Sequence, residues 1–245
     1  MDIEHVNLSQ GNANINGFVQ HPSPELRNME KRPAILVFPG GGYYGCSDRE
    51  AEPIALSYMA HGYQAFVLRY SCGETATFGE ALEDAEWALE TIRSNSDHWH
   101  LDPKRIALIG FSAGGHLAAA LATMSKVRPN ALLLGYPCIL KSIEGKLAFP
   151  VPGLESTVDG NTPPTFLFGT STDEIVGVEH TLSFANALAE AKLAFELHIF
   201  HSGTHGLSLA SQVTSDGRAS FVENRVASWF LHSIDWLNAV LGSGL

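Results

Sequence analysis

The stretch that decides the fold is GFSAGGH at residues 110–116, in which Ser112 stands in a G-x-S-x-G pattern. It directly follows an apolar run and opens a segment with Ala and Leu at helical spacing, so it predicts a sharp turn from a strand into a helix. Gly110 and Gly114 leave the room that such a turn needs. A serine exposed on this turn is a candidate nucleophile, because a neighbouring base can take its proton.

On both sides of this turn, short apolar runs alternate with helical patterns. The apolar runs predict six strands, at residues 33–39, 62–70, 105–110, 131–136, 164–169 and 195–200. The helical spacing predicts crossover helices at residues 47–59, 78–92, 116–124 and 178–191, and a last helix at residues 219–241. The alternation is typical of βαβ units, so we expect one mostly parallel sheet with helices on both faces.

The beginning of the chain follows a different pattern. Residues 3–8 and 13–20 alternate polar with apolar and are joined at residues 10–12, which predicts an antiparallel hairpin at one sheet edge. The sheet is then expected to have about eight strands. Residues 140–163 are too short for an independent lid, so we expect a loop that borders the active site and little or no cap. We predict a single domain over residues 1–245.

A second glycine-rich stretch, FPGGGY at residues 38–43, stands where an earlier strand ends. Successive glycines let backbone N–H groups come close to a substrate oxygen, and this position suits an oxyanion hole. We therefore expect the oxyanion to be held by the amides of three residues, Gly41, Gly42 and Ala113. The aromatic side chains next to these motifs are the candidate substrate-binding groups: Tyr43, Tyr44 and Phe111.

The general base is expected on a loop after a late strand. Of the eleven histidines, His205 fits best, because it lies in the glycine-flanked loop SGTHG at residues 202–206. His198 and His201 are poorer candidates, since they lie inside the last strand pattern and at its end.

The acid that orients this base is expected on the loop after the preceding strand. Asp173 is the preferred residue there, and Glu174 is the adjacent alternative. Together with Ser112 and His205, Asp173 gives the chain order Ser, Asp, His, which is the order of a catalytic triad on this kind of turn.

Net charge and cysteine content indicate which partners and ligands the protein is not expected to bind. A formal net charge of -11 with scattered Lys and Arg argues against a nucleic acid or an anionic membrane surface as a partner. Three cysteines without a CxxC pair predict free, partly buried thiols and no metal site. The N-terminus lacks the pattern of a secretory signal and no apolar run approaches membrane-spanning length, so we expect a cytoplasmic location.

The chain resembles the acetylxylan esterase-like branch of the α/β-hydrolases, also described as bifunctional feruloyl and acetyl xylan esterases. The likeness rests on PGGGYYGCSDREAEPIA at 39–55, VLRYS at 67–71, GFSAGGHLAA at 110–119, PPTFLFGTSTDE at 163–174 and FELHIFHSGTHGLSLA at 195–210. It implies the α/β-hydrolase fold, the same triad and oxyanion donors, no cofactor, and a small ester as substrate, foremost an acetylated sugar or xylo-oligosaccharide. The chain departs from the family in two places. The acid loop has Thr172 where members commonly carry Asp and Gly177 where proline is usual, and the connection at residues 140–163 lacks the usual family sequence, so the resemblance does not imply the acyl and alcohol specificity.

Acyl transfer is the function that these residues predict, with Ser112 attacking an ester carbonyl, His205 as base and Asp173 fixing the imidazole tautomer. One alternative is a peptidase of the prolyl-peptidase type, which shares the triad order. Another is a catalytically silent hydrolase-fold protein that binds a small molecule. A homodimer would be one way to complete a shallow site.

Overall fold

The computed structural model describes residues 1–8 and 13–242 of the chain. These residues contain an eight-stranded sheet with the strand order β1-β2-β4-β3-β5-β6-β7-β8. The strands are β1 (Asp2–Asn7), β2 (Asn14–Val19), β3 (Arg32–Phe38), β4 (Gln64–Arg69), β5 (Leu101–Phe111), β6 (Ala131–Gly135), β7 (Thr165–Thr170) and β8 (Phe195–Phe200).

The pairing of the strands confirms the predicted sheet. Strands β3 to β8 run parallel to one another, whereas β1 and β2 form an antiparallel hairpin and β2 joins β4 antiparallel. The turn expected at residues 10–12 lies outside the described residues. Every residue of β3, β6 and β7 is buried, because these strands are covered on both faces.

Six α-helices cover the described part of the sheet. They are α1 (Glu52–Met59), α2 (Phe78–Ser94), α3 (Ser112–Met124), α4 (Val178–Glu190), α5 (Asn224–Ala227) and α6 (Trp229–Leu241). Buried side chains of α2, α3 and α4 form an apolar layer on one face of the sheet, and those of α1 and α6 form a layer on the other. This arrangement confirms the expectation of helices on both faces.

The three helix predictions that differ most from the structure are those at residues 47–59, 219–241 and 116–124. The predicted helix at 47–59 is a 3-10 turn, Asp48–Glu50, followed by α1, because Ala51 has non-helical φ and ψ of −107° and −107°. The predicted helix at 219–241 is divided into a 3-10 turn, α5 and α6, and the side chain of Glu223 caps α5 by accepting from the Arg225 N–H. Helix α3 begins at residue 112 rather than 116, because the turn that carries the serine is itself the first helical turn.

The strand-to-helix turn packs backbone against backbone. A Cβ atom added to Gly110 would lie 2.3 Å from the Gly114 carbonyl oxygen, and one added to Gly114 would lie 2.2 Å from the Phe38 carbonyl oxygen. Both distances are far below van der Waals contact, so only glycine fits at either position. Ser112 between them has a φ of 52°, a left-handed conformation that an L-residue adopts at a cost in strain.

Residues 140–163 fold back onto the body of the protein. They begin with a 3-10 turn, Lys141–Lys146, and continue irregularly with Phe149, Val151 and Leu154 buried in the same apolar layer as α2 and α3. The segment therefore borders the sheet and forms no separate cap. None of the helices in residues 1–8 and 13–242 combines the length and apolar character needed to cross a membrane.

Candidate active site

Ser112, Asp173 and His205 meet at the carboxyl ends of the parallel strands. The serine opens α3, the aspartate lies on the loop after β7, and the histidine lies on the loop after β8. Ser112 Oγ is 2.8 Å from His205 Nε2, and His205 Nδ1 is 2.7 Å from Asp173 Oδ2. The three side chains therefore form one chain of hydrogen bonds from hydroxyl to imidazole to carboxylate, which is the arrangement of a catalytic triad.

The carboxylate of Asp173 is buried and oriented by the backbone. Its side chain is 2% exposed, and Oδ1 accepts hydrogen bonds from the N–H groups of Ile175 and Val176 at 2.9 and 3.0 Å. Oδ2 is thereby left to face His205. Glu174 is exposed to solvent and does not take this place, so the geometry favours the preferred residue over its neighbour.

Hydroxyl groups join the acid loop to the histidine loop. Thr172 Oγ1 accepts from the Gly203 N–H at 3.0 Å and lies 3.1 Å from the Gly203 carbonyl, to which Thr170 Oγ1 donates at 2.7 Å. Ser171 Oγ donates to the His201 carbonyl at 2.5 Å. The threonine that departs from the family pattern at position 172 thus contributes to holding the two loops together.

The glycine loop lies beside the serine. Gly41 and Gly42 have φ values of 132° and 64°, in the left-handed region that favours glycine, and both line the cavity that contains Ser112 and His205. A Cβ on Gly41 would lie 2.2 Å from the Gly45 carbonyl oxygen. Ala113 is in the first turn of α3, where backbone N–H groups have no partner within the helix. The geometry therefore suits the predicted oxyanion donors.

The predicted role in binding substrate is wrong for two of the three aromatic side chains. Tyr43 and Phe111 are both 0% exposed and do not line the cavity. The left-handed φ of 62° turns Tyr43 into the protein, where its hydroxyl bonds to the imidazole of His116. Phe111 ends a central strand and packs edge-on against Trp229 in the core. Nearness in sequence to the motifs does not bring either ring to the substrate.

Tyr44 has a different position. It is 59% exposed, and a Cβ on Gly42 would lie 3.1 Å from its ring. Its hydroxyl is 3.5 Å from the Leu147 carbonyl oxygen. The ring therefore lies at the outside of the cavity wall, and a role in binding substrate stays a prediction.

The cavity has a volume of about 250 Å³, and its lining combines apolar and polar residues. The apolar lining residues are Cys138, Ile143, Leu147, Ile175 and Val176. The lining also includes Ser47, Arg49, Glu50, Lys146 and Gly206. Sequence reasoning missed these residues because they come from a 3-10 turn and from irregular loops, which carry no periodic or motif signal.

A buried histidine fixes the segment at residues 140–163 to the glycine loop. The Nε2–H of His116 donates to the Pro152 carbonyl at 2.9 Å, so its Nδ1 accepts from the Tyr43 hydroxyl, also at 2.9 Å. Burial raises the pKa of Tyr43 well above its usual value, which keeps this hydroxyl a donor. Burial also lowers the pKa of His116 to about 4, so the imidazole is neutral near neutral pH.

This histidine is expected to weaken the protein in acid. The unfolded chain protonates the imidazole near pH 6.5, whereas the folded protein resists protonation until about pH 4. The free energy of unfolding should therefore fall as pH decreases through this window, by about 1.4 kcal/mol per pH unit for one proton. The stabilisation of wild type relative to His116→Gln, measured by urea unfolding, should shrink from pH 7 to pH 4. The exposed His98→Gln variant is the control, and parallel curves for wild type and His116→Gln would contradict the expectation.

Comparison with known proteins finds a matching family model and similar curated proteins. The family model BD-FAE matches residues 23–131. An endo-1,4-beta-xylanase B of Butyrivibrio fibrisolvens is 34% identical over 228 residues, covering 80% of this chain and 36% of that protein. An acetylxylan esterase of Xylanibacter ruminicola is 29% identical over 203 residues, covering 73% of this chain and 42% of that protein. The chain thus spans less than half the length of these curated relatives.

Solved structures match over the whole chain. An α/β-hydrolase enzyme from a Medee basin deep-sea metagenome library is 47% identical, with a TM-score of 0.94 and 99% of both chains covered. An acetyl ester-xyloside bifunctional hydrolase from Caldicellulosiruptor lactoaceticus is 33% identical, with a TM-score of 0.82 and coverage of 96% of this chain and 90% of that one. Fold and site together define the class of this protein, an α/β-hydrolase.

The chain belongs to the acetylxylan esterase-like branch of that family. This membership confirms the predicted fold class. Two of the similar solved structures are a carboxylesterase of Lactobacillus plantarum and the acetyl ester-xyloside hydrolase.

Proposed function

We propose that this protein hydrolyses small acyl esters, foremost acetyl esters of sugars or xylo-oligosaccharides, through Ser112, His205 and Asp173. The observation that carries the proposal is the unbroken hydrogen-bond chain between these side chains, with distances of 2.8 and 2.7 Å, at the wall of a small cavity. The acetylxylan esterase and the acetyl ester-xyloside hydrolase among its relatives support the choice of substrate class.

The mechanism follows from the direction of the hydrogen bonds. Asp173 accepts from the Nδ1–H of His205, which leaves Nε2 with a lone pair that takes the proton of Ser112 as Oγ attacks the ester carbonyl. The carbonyl oxygen becomes an oxyanion, and the N–H groups of Gly41, Gly42 and Ala113 stabilise it. The imidazolium then protonates the departing alcohol. A water molecule, deprotonated by the same imidazole, releases the acyl group from the serine.

The cavity favours a small substrate over a long acyl chain. Its volume of about 250 Å³ lies below the range of about 300–1,000 Å³ that is typical of sites for drug-sized ligands. The apolar lining residues, among them Ile143 and Val176, suit the methyl group of an acetate. Ser47 and Arg49, which also line the cavity, offer polar groups to the hydroxyls of a sugar alcohol. Cytoplasmic location and a homodimer remain predictions from the sequence.

A substrate series tests the proposed function. Turnover of p-nitrophenyl esters should be highest for acetate and fall steadily through butyrate to octanoate, because longer chains exceed the cavity. The protein should also release acetate from acetylated xylo-oligosaccharides. Prolyl and aminoacyl anilides should remain uncleaved. A preference for octanoate would contradict the acyl assignment. Anilide cleavage without ester cleavage would favour the peptidase alternative, and absence of all turnover would favour a binding protein.

A further inference from the structure

Glu50 is a buried carboxylate that the proposed mechanism does not use. It ends the 3-10 turn Asp48–Glu50, is 3% exposed, and forms no ion pair with the described residues. Burying a carboxylate away from water is costly unless hydrogen bonds replace its hydration. Both oxygens of Glu50 have such a partner, and the two partners belong to different parts of the active site.

The first partner is the loop that leads into the oxyanion hole. Glu50 Oε2 accepts a hydrogen bond from the Gly40 N–H at 2.8 Å. A Cβ on Gly40 would lie 2.6 Å from this oxygen and 3.0 Å from Ser112 Cβ, so the carboxylate, the glycine loop and the nucleophile are in close contact. The bond therefore fixes the residue immediately before Gly41.

The second partner leads to the general base. Tyr136 donates its hydroxyl hydrogen to Glu50 Oε1 at 2.6 Å and accepts from the Ser208 N–H at 2.9 Å. Burial and the neighbouring carboxylate hold the pKa of Tyr136 well above its usual value, so the hydroxyl keeps the proton that it donates. Ser208 is in the loop that carries His205, and the ring of Tyr136 packs edge-on against the imidazole with centroids 5.1 Å apart.

The hydrogen bonds described above form a path from Gly40 through Glu50 and Tyr136 to Ser208. Two residues of this path have a strained backbone that the surrounding structure must hold in place. Tyr136 and Ser208 have φ values of 37° and 53°, which non-glycine residues adopt only when the surroundings enforce them. The 3-10 turn that contains Glu50 also forms hydrogen bonds to the histidine loop through its residue Arg49. Arg49 donates to the Gly206 carbonyl at 2.8 Å, and its own carbonyl accepts from the Ser208 hydroxyl at 2.5 Å.

We propose that Glu50 is a positioning residue that joins the oxyanion loop to the histidine loop through Gly40 on one side and Tyr136 and Ser208 on the other. Resting on the proposed function, this assigns to the carboxylate the task of holding the oxyanion donors and the imidazole in a fixed relation to Ser112. A small misplacement of either loop lowers the rate without removing any reacting group.

Two mild substitutions interrupt the path at different bonds. Glu50→Gln keeps an oxygen for the Gly40 N–H but turns its amide hydrogens toward Tyr136, whose hydroxyl loses its acceptor. Tyr136→Phe removes the link to Ser208 and leaves the bond to Gly40 intact. Each is expected to lower kcat per active site by about 10- to 100-fold with KM changed by no more than about twofold. The double variant should be no slower than the slower single one, because both changes break one path.

The measurement must distinguish a lower rate caused by misplaced loops from one caused by a smaller amount of folded protein. Active sites are titrated with a fluorophosphonate, and kcat is divided by the titrated fraction. The second-order rate constant for phosphonylation of Ser112 is measured as well, since it reports the serine, the base and the oxyanion donors without requiring ester turnover. Glu52→Gln is the matched control: Glu52 lies two residues further along, pairs with Arg69 at 2.7 Å, and does not line the cavity.

The outcomes distinguish this inference from the proposed function. Slower phosphonylation in Glu50→Gln and Tyr136→Phe, non-additive in the double variant, with Glu52→Gln like wild type, supports positioning by Glu50. Phosphonylation at wild-type rates in both single variants, or effects that multiply fully in the double variant, would overturn it. Normal phosphonylation of the wild type without hydrolysis of any ester would refute the proposed function alone, and a wild type that does not react with the probe would overturn both.

Discussion

Replacing Ser112 with alanine is expected to lower kcat for p-nitrophenyl acetate by about a millionfold, as loss of a triad serine does in other serine hydrolases. The hydroxyl oxygen is the atom that attacks the carbonyl, and no other hydroxyl is within hydrogen-bonding distance of His205 Nε2 among the described residues. The Cys138 thiol, 3.9 Å from Ser112 Oγ, is buried, and burial raises its pKa to about 12, so it does not replace the serine. The loss is measured as the rate of p-nitrophenol release divided by the concentration of folded protein, because the variant has no serine that a fluorophosphonate could titrate.

The change is expected to leave the fold intact. Ser112 is 7% exposed, and removing one oxygen from its side chain creates no large void in the core. The thermal midpoint of Ser112→Ala should therefore stay within a few degrees of wild type. His205→Ala should be about as slow as Ser112→Ala, and the double variant no slower, because the two groups act as one unit. Turnover by folded Ser112→Ala within tenfold of wild type would refute the assignment of the nucleophile.

Asp173→Asn is expected to lower kcat by about ten-thousandfold while the site keeps its shape. The reason lies in the two backbone N–H groups, of Ile175 and Val176, that bond to Oδ1. They require an acceptor, so the asparagine oxygen stays there and its amide group faces His205 Nδ1. An amide donor at that position favours the wrong imidazole tautomer, with the proton on Nε2, where it cannot accept the proton of Ser112.

Glu174→Gln is the matched control for this prediction, since Glu174 is the adjacent, exposed carboxylate. It should retain nearly all activity. The two variants are compared by kcat and by the rate of phosphonylation, which should both fall only in Asp173→Asn. If Glu174→Gln lost activity and Asp173→Asn kept it, the acid would be Glu174 and the loop would have to rearrange in solution.

The elements of the sheet could be predicted from the sequence because each strand has a strong local signal. Strands such as β3 and β7 are buried on both faces and therefore consist of continuous apolar runs. The helices at 47–59 and 219–241 are harder to predict from the sequence. Residues such as Ala51 and Glu223 end or begin helical turns through backbone angles and caps, and the periodicity of apolar residues does not record these.

The motifs of the candidate site could be predicted from the sequence, but the positions of several side chains around them could not. The aromatic residues Tyr43 and Phe111 follow or precede sequence motifs, yet their rings enter the core, since the backbone angle at one and the strand alternation at the other decide their direction. Glu50 carries no recognisable catalytic signal, because its importance depends on two hydrogen bonds to residues 10 and 86 positions away.

The sequence by itself determined the turn at residues 110–116, since two glycines and a serine between strand and helix specify that local geometry through short-range contacts alone. It also determined the parallel sheet, because the apolar runs need cover on both faces. Only the tertiary structure decided which acid faces His205, which side chains line the cavity, and how the glycine and histidine loops are joined. Those features depend on strand order and on loops far apart in the chain, and no local pattern of residues encodes where such loops meet.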